Sequence, residues 1–517
     1  MYKSSDTPFP FWGAETKTKS GRDPLAVQNS SVVIYTNMIK GITNVTARVR
    51  YNGFFCWLLT LIAKKVASSN IDKIDSPEEQ IKYVRRGELL LAFSMLHNFK
   101  DVNGVSGSIF AQNHYDNDLL NLAAGADLKQ DDNPKLYWQH PKGIFGQYYL
   151  NVLTELGLIN LPDSKHKTYR VTKKAGKPLY DAFRESLTEN QENLFWESIY
   201  SGQISRNKLS EFKGIALHQI YSDKELNEYK NIFCKPERQD IAKNAISHRI
   251  SSIKLLLEYI NGDGAMVECR QIVLAFLKSN FITVLDANLK DITSEQLSWF
   301  IYELNELSHA AYEAFHFALL YSTTEEPQPL NTVLGKLNSQ FEDYSSLHKI
   351  TNYDIYDLYD ELQPLYRNKE YGGLIYIAAT LLIELYKAIK DFIGLITEYS
   401  TSEDYDVTHP GFAPLLLANL VGDENKKCNW LFAEDCIFSA INDHLRSSYS
   451  KSSIGQGIVH NYMVDDDLIW QLRRTNPIRT SPRLQNVLQY IEDMKWIQRE
   501  GERYKVIERG QQILKLQ

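Results

Sequence analysis

The sequence predicts a mainly α, multi-domain helical protein in which one small module is written twice. Apolar residues recur at helical spacing through most of the 517 residues. Strand-like alternation between evenly spaced Gly and Pro turns is missing. The stretches Phe145 to Phe183 and Arg483 to Leu516 both read as an amphipathic helix, a hairpin with a polar tip, and a closing helix with Gly near its start. At 43% hydrophobic residues there is material for several cores. Composition shifts divide the chain into an N-terminal helical domain (1–109), a first module (110–188), helical domains at 189–322 and 333–400, and a C-terminal domain (411–517) that ends in the second module.

The elements follow in order. After a Pro- and Gly-rich opening, Thr43 or Asn44 is expected to cap a helix whose buried face is Val45, Val49, Phe54, Trp57, Leu58 and Leu61. Arg48 and Arg50 beside it either pair within the fold or grip phosphate or an acidic partner. A second helix, Ile81 to Phe99, carries Arg85, Arg86 and Glu88 on its polar side, and a further helix runs from His114 to Ala124. In the first module, Phe145, Tyr148, Tyr149, Val152, Leu153 and Leu156 form one stripe; in the second, Leu484, Val487, Leu488, Ile491 and Met494 do so. Helices are expected around Ile250–Ile260, Ile272–Leu277, Gln296–Leu320, Leu334–Leu347, Tyr353–Tyr366 and Gly372–Tyr399. Tyr321–Thr332 and Ser400–Gly411 have linker composition. The apolar runs Phe54–Ala63 and Gly372–Ile383 are shorter than the ~20 residues a bilayer crossing needs, so no membrane role is expected.

The order of helix, hairpin and Tyr-basic-Val strand (Tyr169-Arg170-Val171; Tyr504-Lys505-Val506) resembles the second half of a winged-helix domain. The resemblance implies a module that holds DNA, protein, or both. Net charge is −7, which excludes a protein that coats nucleic acid with its whole surface. Positive charge concentrates on the modules, however. Lys165, His166 and Lys167 sit at the predicted hairpin tip, flanked by Arg170, Lys173 and Lys174. On the preceding helix, Gln147 and Asn151 face away from the apolar stripe, and such amides can read base edges while lysines meet phosphates. A second DNA or partner surface is drawn from Arg473, Arg474, Arg483, Arg499, Arg503 and Lys505, among which Glu492, Asp493, Glu500 and Glu502 are interleaved. The segment GITNVTARVRY from Gly41 is similar to the opening of uncharacterised bacterial proteins associated with antiviral defence gene clusters. Winged helices bracketing a helical middle are also similar to kleisin subunits that bridge SMC-type ATPases.

Catalytic motifs are sparse. No Gly-rich loop ends in Gly-Lys-Ser/Thr and no GxSxG elbow is present. Asp354, Asp357 and Glu361 would share a helix face and could hold Mg²⁺ for phosphodiester chemistry, or simply be a solvated face at a helix N-terminus. His309 and His316 read as core histidines. Cys56, Cys234, Cys269, Cys428 and Cys436 lack CxxC spacing, which suits reduced thiols in the cytoplasm; a zinc site from Cys428, Cys436, His444 and His460 is the alternative. The expectation is a scaffold without cofactor or catalytic residue, working with other protein subunits (an SMC-like ATPase, helicase or nuclease) and with double-stranded DNA. A kleisin-like adaptor and a divergent metal-dependent nuclease are the alternatives.

Overall fold

The structure, a computed structural model, describes residues 23–68, 74, 76–99, 102–128, 136–235, 243–287, 291–348, 354–452 and 459–516. It is mainly helical, at 65% helix with little strand. The chain divides into two compact units, each built from separated stretches. One unit takes Thr36–Phe276 and Ser481–Gln517 and holds both modules; we call it the module unit. The other, the long-helix unit, takes the chain up to Tyr35 and Leu277–Thr480.

In the module unit, helix Arg50–Ser68 presents Tyr51, Phe54, Phe55 and Trp57 to a fully buried aromatic core. Gly53 lets the closing helix of the first module approach, because a Cβ there would meet the Phe183 ring at 2.8 Å. The expected cap at Thr43 or Asn44 is not a helix start. Asn44 and Val45 form a turn in an otherwise irregular stretch, the helix begins at Arg50, and Val45 is exposed rather than core. This turn segment is a clamp. Gly41 N donates to Glu155 Oε2 (3.0 Å) at the end of the first module's helix. Asn486 Nδ2 donates to Thr43 O (2.5 Å), Arg483 Nη1 to Ile42 O (3.0 Å), and Arg48 pairs with Asp493 (2.9 Å), all on the second module's helix. Arg50 is fully buried and bidentate on Glu225 at 2.8 and 3.2 Å.

Helix Pro77–Asn98 departs from the sequence expectation of a solvated polar side: Arg85, Arg86 and Glu88 are all buried. Arg85 donates to the carbonyls of Ala126 (2.6 Å), His140 (2.6 Å) and Trp138 (3.0 Å); Arg86 pairs with Asp127 at 2.5 Å. Arg86 also donates to the carbonyls of Ile199 (2.8 Å) and Tyr200 (2.9 Å) at the end of helix Glu189–Ser201, so the two guanidiniums satisfy helix-end and loop carbonyls, which is why they sit inside. The expected helix His114–Ala124 is instead helix Ser108–His114, strand Leu119–Asn121 and helix Leu122–Ala126, with Asn121 capping the last.

The two modules repeat in atomic detail. The first comprises a wide turn Phe145–Tyr149 leading into helix Leu150–Glu155, strands Ile159–Asn160 and Arg170–Val171, and helix Gly176–Arg184. The second comprises helix Leu484–Asp493, strands Ile497–Glu500 and Arg503–Val506, and helix Glu508–Leu514. Each first helix ends on a left-handed residue, Gly157 (φ 65°) or Lys495 (φ 59°). The next residue then bonds back to the same carbonyl position, Leu158 N to Leu153 O and Trp496 N to Ile491 O, both 2.8 Å. That is a helix-closing motif that satisfies otherwise orphaned carbonyls.

The long-helix unit is organised around helix Ser294–Ser322, opened by a Thr293–Gln296 capping box and buried on every face. Helices Leu330–Leu347, Ile355–Asn368, Tyr371–Ile389, Ala413–Leu420 and Trp430–Lys451 complete it. The stretch read as a linker near Tyr321–Thr332 contributes strand Gln328–Pro329 to an antiparallel sheet with Leu468–Gln471 and Tyr462–Asp465. The second expected linker is also structural, since Tyr405 is buried and its hydroxyl meets Ser298 Oγ at 3.0 Å. Tyr371–Ser402 is longer than the apolar run suggested, and by length and composition it could cross a membrane. However, 78% of its most apolar window is buried inside the unit, the mark of a core helix.

Candidate nucleic-acid interface

The first module's helix is anchored from below. Glu88 on Pro77–Asn98 accepts from Ile144 N (3.1 Å), Phe145 N (2.7 Å) and the Tyr137 hydroxyl. Burial pushes this carboxyl up to about 7 despite those donors. Gln80 supports the hairpin like an extra strand, accepting from Tyr169 N (2.8 Å) and donating to Tyr169 O (3.0 Å). The helix and the hairpin are therefore both seated on one buried helix, which fixes their mutual geometry.

On this base Gln147 and Asn151 are exposed, four residues apart and so on one face. Gln147 Oε1 accepts from Trp138 Nε1 at 2.7 Å, which orients its amide. The tip is tied by Asp163, which accepts from Lys165 N (2.9 Å) and His166 N (2.6 Å) in an Asx turn. Those backbone donors, the His166 amide first, hold the Asp163 carboxyl below its ordinary range. Lys165 and Lys167 are exposed at this tip, Lys173 and Lys174 are exposed just past strand Arg170–Val171 at the hairpin's base, and Lys165, Lys167 and Lys173 have no carboxylate partner among the described residues. Arg170 differs. It is half-buried, its Nη2 lies 3.3 Å from Asp163 Oδ2, and it braces the tip. His166 also leans on Asp163, at 3.3 Å. Trp138 and Asp163 escaped the sequence reading, although the pattern Asp-Ser-Lys-His is itself a turn signal.

The six residues of the second expected surface are divided between the two units. Arg473 and Arg474 belong to the long-helix unit, next to strand Leu468–Gln471, where Arg474 Nε donates to Gln471 Oε1 at 3.1 Å. Arg483, left-handed at φ 62°, precedes the second module's helix and donates to Ile42 O. Arg499 approaches Glu502 (3.9 Å) and Lys505 approaches Glu500 (3.3 Å). Arg503 contacts Met266 Sδ (3.5 Å), and its backbone bridges Glu268. This hairpin is thus neutralised by its own acids and occupied by its own chain.

Asp354 caps helix Ile355–Asn368 by accepting from Tyr356 N (3.1 Å), and Asp357 and Glu361 lie exposed beyond it. That is the solvated face; Tyr353 lies outside the described residues. His309 and His316 are buried and hydrogen-bonded, His316 to Tyr462 Oη (3.2 Å) and Asn461 Nδ2 (3.0 Å). His444 Nε2 accepts from Asn461 N (3.0 Å), Cys428 contacts Thr380 and Tyr376, and the five cysteines are free thiols. No group of three or more His, Cys, Asp or Glu suited to a metal occurs among the described residues.

No family model, curated protein or solved structure matches this chain.

Proposed function

We propose that the chain is a DNA-engaging scaffold subunit of a multi-protein complex, and that its two repeated modules are winged helices with different duties. The observation that carries this is the first hairpin: Lys165 and Lys167 at a tip tied by Asp163, and Lys173 at its base, are exposed with no carboxylate partner among the described residues, and the preceding helix exposes the amides of Gln147 and Asn151. Unpaired lysines at the end of a braced hairpin suit a phosphate backbone, and the helix beside them suits a groove. The second module contributes through protein packing, because its cations are matched by Glu500 and Glu502 and its strand pairs with Glu268. That division favours the adaptor reading for the second module alone. The acidic face of Asp354, Asp357 and Glu361 serves solubility and helix capping in this reading, with any cleavage or ATP hydrolysis assigned to partner subunits.

The test is a salt titration of duplex binding with Lys165, Lys167 and Lys173 changed to Ala. For every phosphate that a lysine no longer neutralises, the log–log salt slope should fall by about 0.9, and two unrelated duplexes should weaken alike. Arg170 is left intact, since it holds the tip together. A slope equal to that of the unchanged protein would remove this hairpin from the interface.

A further inference from the structure

A separate pocket lies within the long-helix unit, beneath Arg479 and beside helix Ser294–Ser322. Its volume is ≈ 60 Å³, and Gln28, Glu306, His309, Glu313, Tyr366 and Arg479 line it. Three carboxylates of that helix, Glu303, Glu306 and Glu313, are buried at 1%, 4% and 3% exposure. Among the described residues a single guanidinium answers them. Arg479 pairs with Glu303 and stands 3.6 Å from Glu306, which also accepts from Thr480 N (2.9 Å) and Thr480 Oγ1 (2.7 Å). Glu313 is left with Gln28 Nε2 at 3.3 Å.

Two further polar atoms have no hydrogen-bond partner among the described residues. His309 Nε2 lies 2.6 Å from Gly411 O, and a carbonyl can only accept, so the ring proton sits on Nε2. His309 Nδ1 therefore carries a lone pair, and it is buried with no partner. Tyr366 Oη is likewise buried and unpartnered. Buried polar atoms are ordinarily satisfied, and since both of these can accept and stand beside buried carboxyls, a donor-rich cation fits them. A pocket of this size has room for about four waters, enough for a charged head group whose stem leads outward. A divalent metal is a poor fit, because no three-ligand set occurs among the described residues.

We propose that this pocket binds an organic cation, a primary ammonium or guanidinium, whose charge is received by Glu313 and whose N–H groups reach Tyr366 Oη and His309 Nδ1. The site stands independently of the DNA reading. Burial, then Asp23, then Glu306 push the Glu313 carboxyl up to about 8, while the neighbouring His309 is held neutral. Tyr359, Tyr366 and the guanidinium of Arg479 are the other ionisable groups lining the pocket. At pH 7 the empty site thus holds a proton on Glu313, and a cation that needs the carboxylate must expel it.

Calorimetry on the full chain tests this with n-butylamine, methylguanidinium and a blocked Gly-Lys-Gly peptide. The expected result is saturable binding at pH 7 with release of close to one proton, seen as a heat that changes with the buffer's ionisation enthalpy. Affinity should rise as pH increases toward about 8. Glu313→Gln, which keeps side-chain shape, should weaken binding at least tenfold and abolish proton release; Tyr366→Phe should weaken it several-fold. Binding of the free amines identifies a small-molecule source, and binding confined to the peptide identifies a partner's lysine. Absence of saturable binding by all three probes, or unchanged binding in Glu313→Gln, overturns the proposal.

Discussion

Arg50 carries more of the module unit than any surface charge does. Its guanidinium is fully buried, bidentate on Glu225, donating to Ala216 O and to Ser186 Oγ (3.0 Å), and stacked 4.5 Å from the Phe183 ring. Taking the pair out of water is costly, so its net contribution is modest, but removing one partner strands the other. Arg50→Ala should therefore lower stability by about 3–5 kcal/mol in urea denaturation. The double variant Arg50→Met/Glu225→Leu should recover most of that loss. If the double variant is as unstable as Arg50→Ala, packing around Phe183 rather than charge is what Arg50 supplies. The sequence showed two arginines among apolar neighbours and left open whether they pair inside or face a ligand. The partners that decide it lie 175 residues away for Arg50 and 445 for Arg48, beyond the reach of local pattern.

At the scale of elements, the repeat rests on two glycines. A Cβ at Gly176 would overlap Leu158 O and crowd Val171 Cγ1; at Gly510 it would overlap Trp496 O and meet Val506 Cγ1 at 2.7 Å. In each module the closing helix starts against the same carbonyl and the same strand valine. Backbone cannot yield as a flexible side chain would, so Gly176→Ala and Gly510→Ala should each destabilise by about 1–3 kcal/mol. Gly335 provides the contrast. It lies exposed inside helix Leu330–Leu347 with nothing within 4 Å of its Cβ position. Gly335→Ala should stabilise by about 0.5–1 kcal/mol. Thermal melts of the three variants check both signs, and a neutral Gly510→Ala would end the argument that the modules share one packing rule. Glycine near the start of each closing helix was legible in the sequence; the carbonyl that requires it was not.

Across the molecule, the two units carry opposite buried charge chemistry. In the long-helix unit His309, His316, His409, His444 and His460 are all held below the ordinary histidine range, chiefly by burial, with His444 at about 4. A histidine depressed in the fold binds fewer protons than in the unfolded chain between its two pKa values, so stability falls as pH drops through that window. For His444 the window runs from 6.5 to about 4. In the module unit His97 is depressed in the same way, while two buried carboxyls are pushed up by burial: Glu88 to about 7 and Asp493 to about 6. Raised carboxyls act in the other direction, and stability gains as pH falls from about 7 toward their ordinary values. Glu303 and Glu313, both raised by burial, oppose the histidines within the long-helix unit, but they are two groups against five. Acidification from pH 7 to about 5 should consequently loosen the long-helix unit more than the module unit. Hydrogen exchange in helices Trp430–Lys451 and Pro77–Asn98, corrected for intrinsic rates, measures it. Equal loss of protection in both helices would contradict the assignment.

By itself the sequence determined the local outcomes: a mainly helical chain, the boundaries of most long helices, and the helix–hairpin–helix order of both modules. These depend on spacing within about a dozen residues, which is the range over which backbone hydrogen bonds and apolar stripes are decided. Tertiary structure decided what that range cannot hold. It gathered modules some 300 residues apart into one unit, used the Gly41–Arg50 segment to clamp both of their helices, and buried Arg85, Arg86 and Glu88 where polarity alone suggested solvent. It also assigned Arg473 and Arg474 to a different unit from Arg483, Arg499 and Arg503, and left Glu313 at a pocket with Gln28 as its hydrogen-bond partner among the described residues. Whether a charge is paired, solvated or waiting for a ligand depends on which distant groups surround it. That is set by the packing of elements, not by neighbours in the chain.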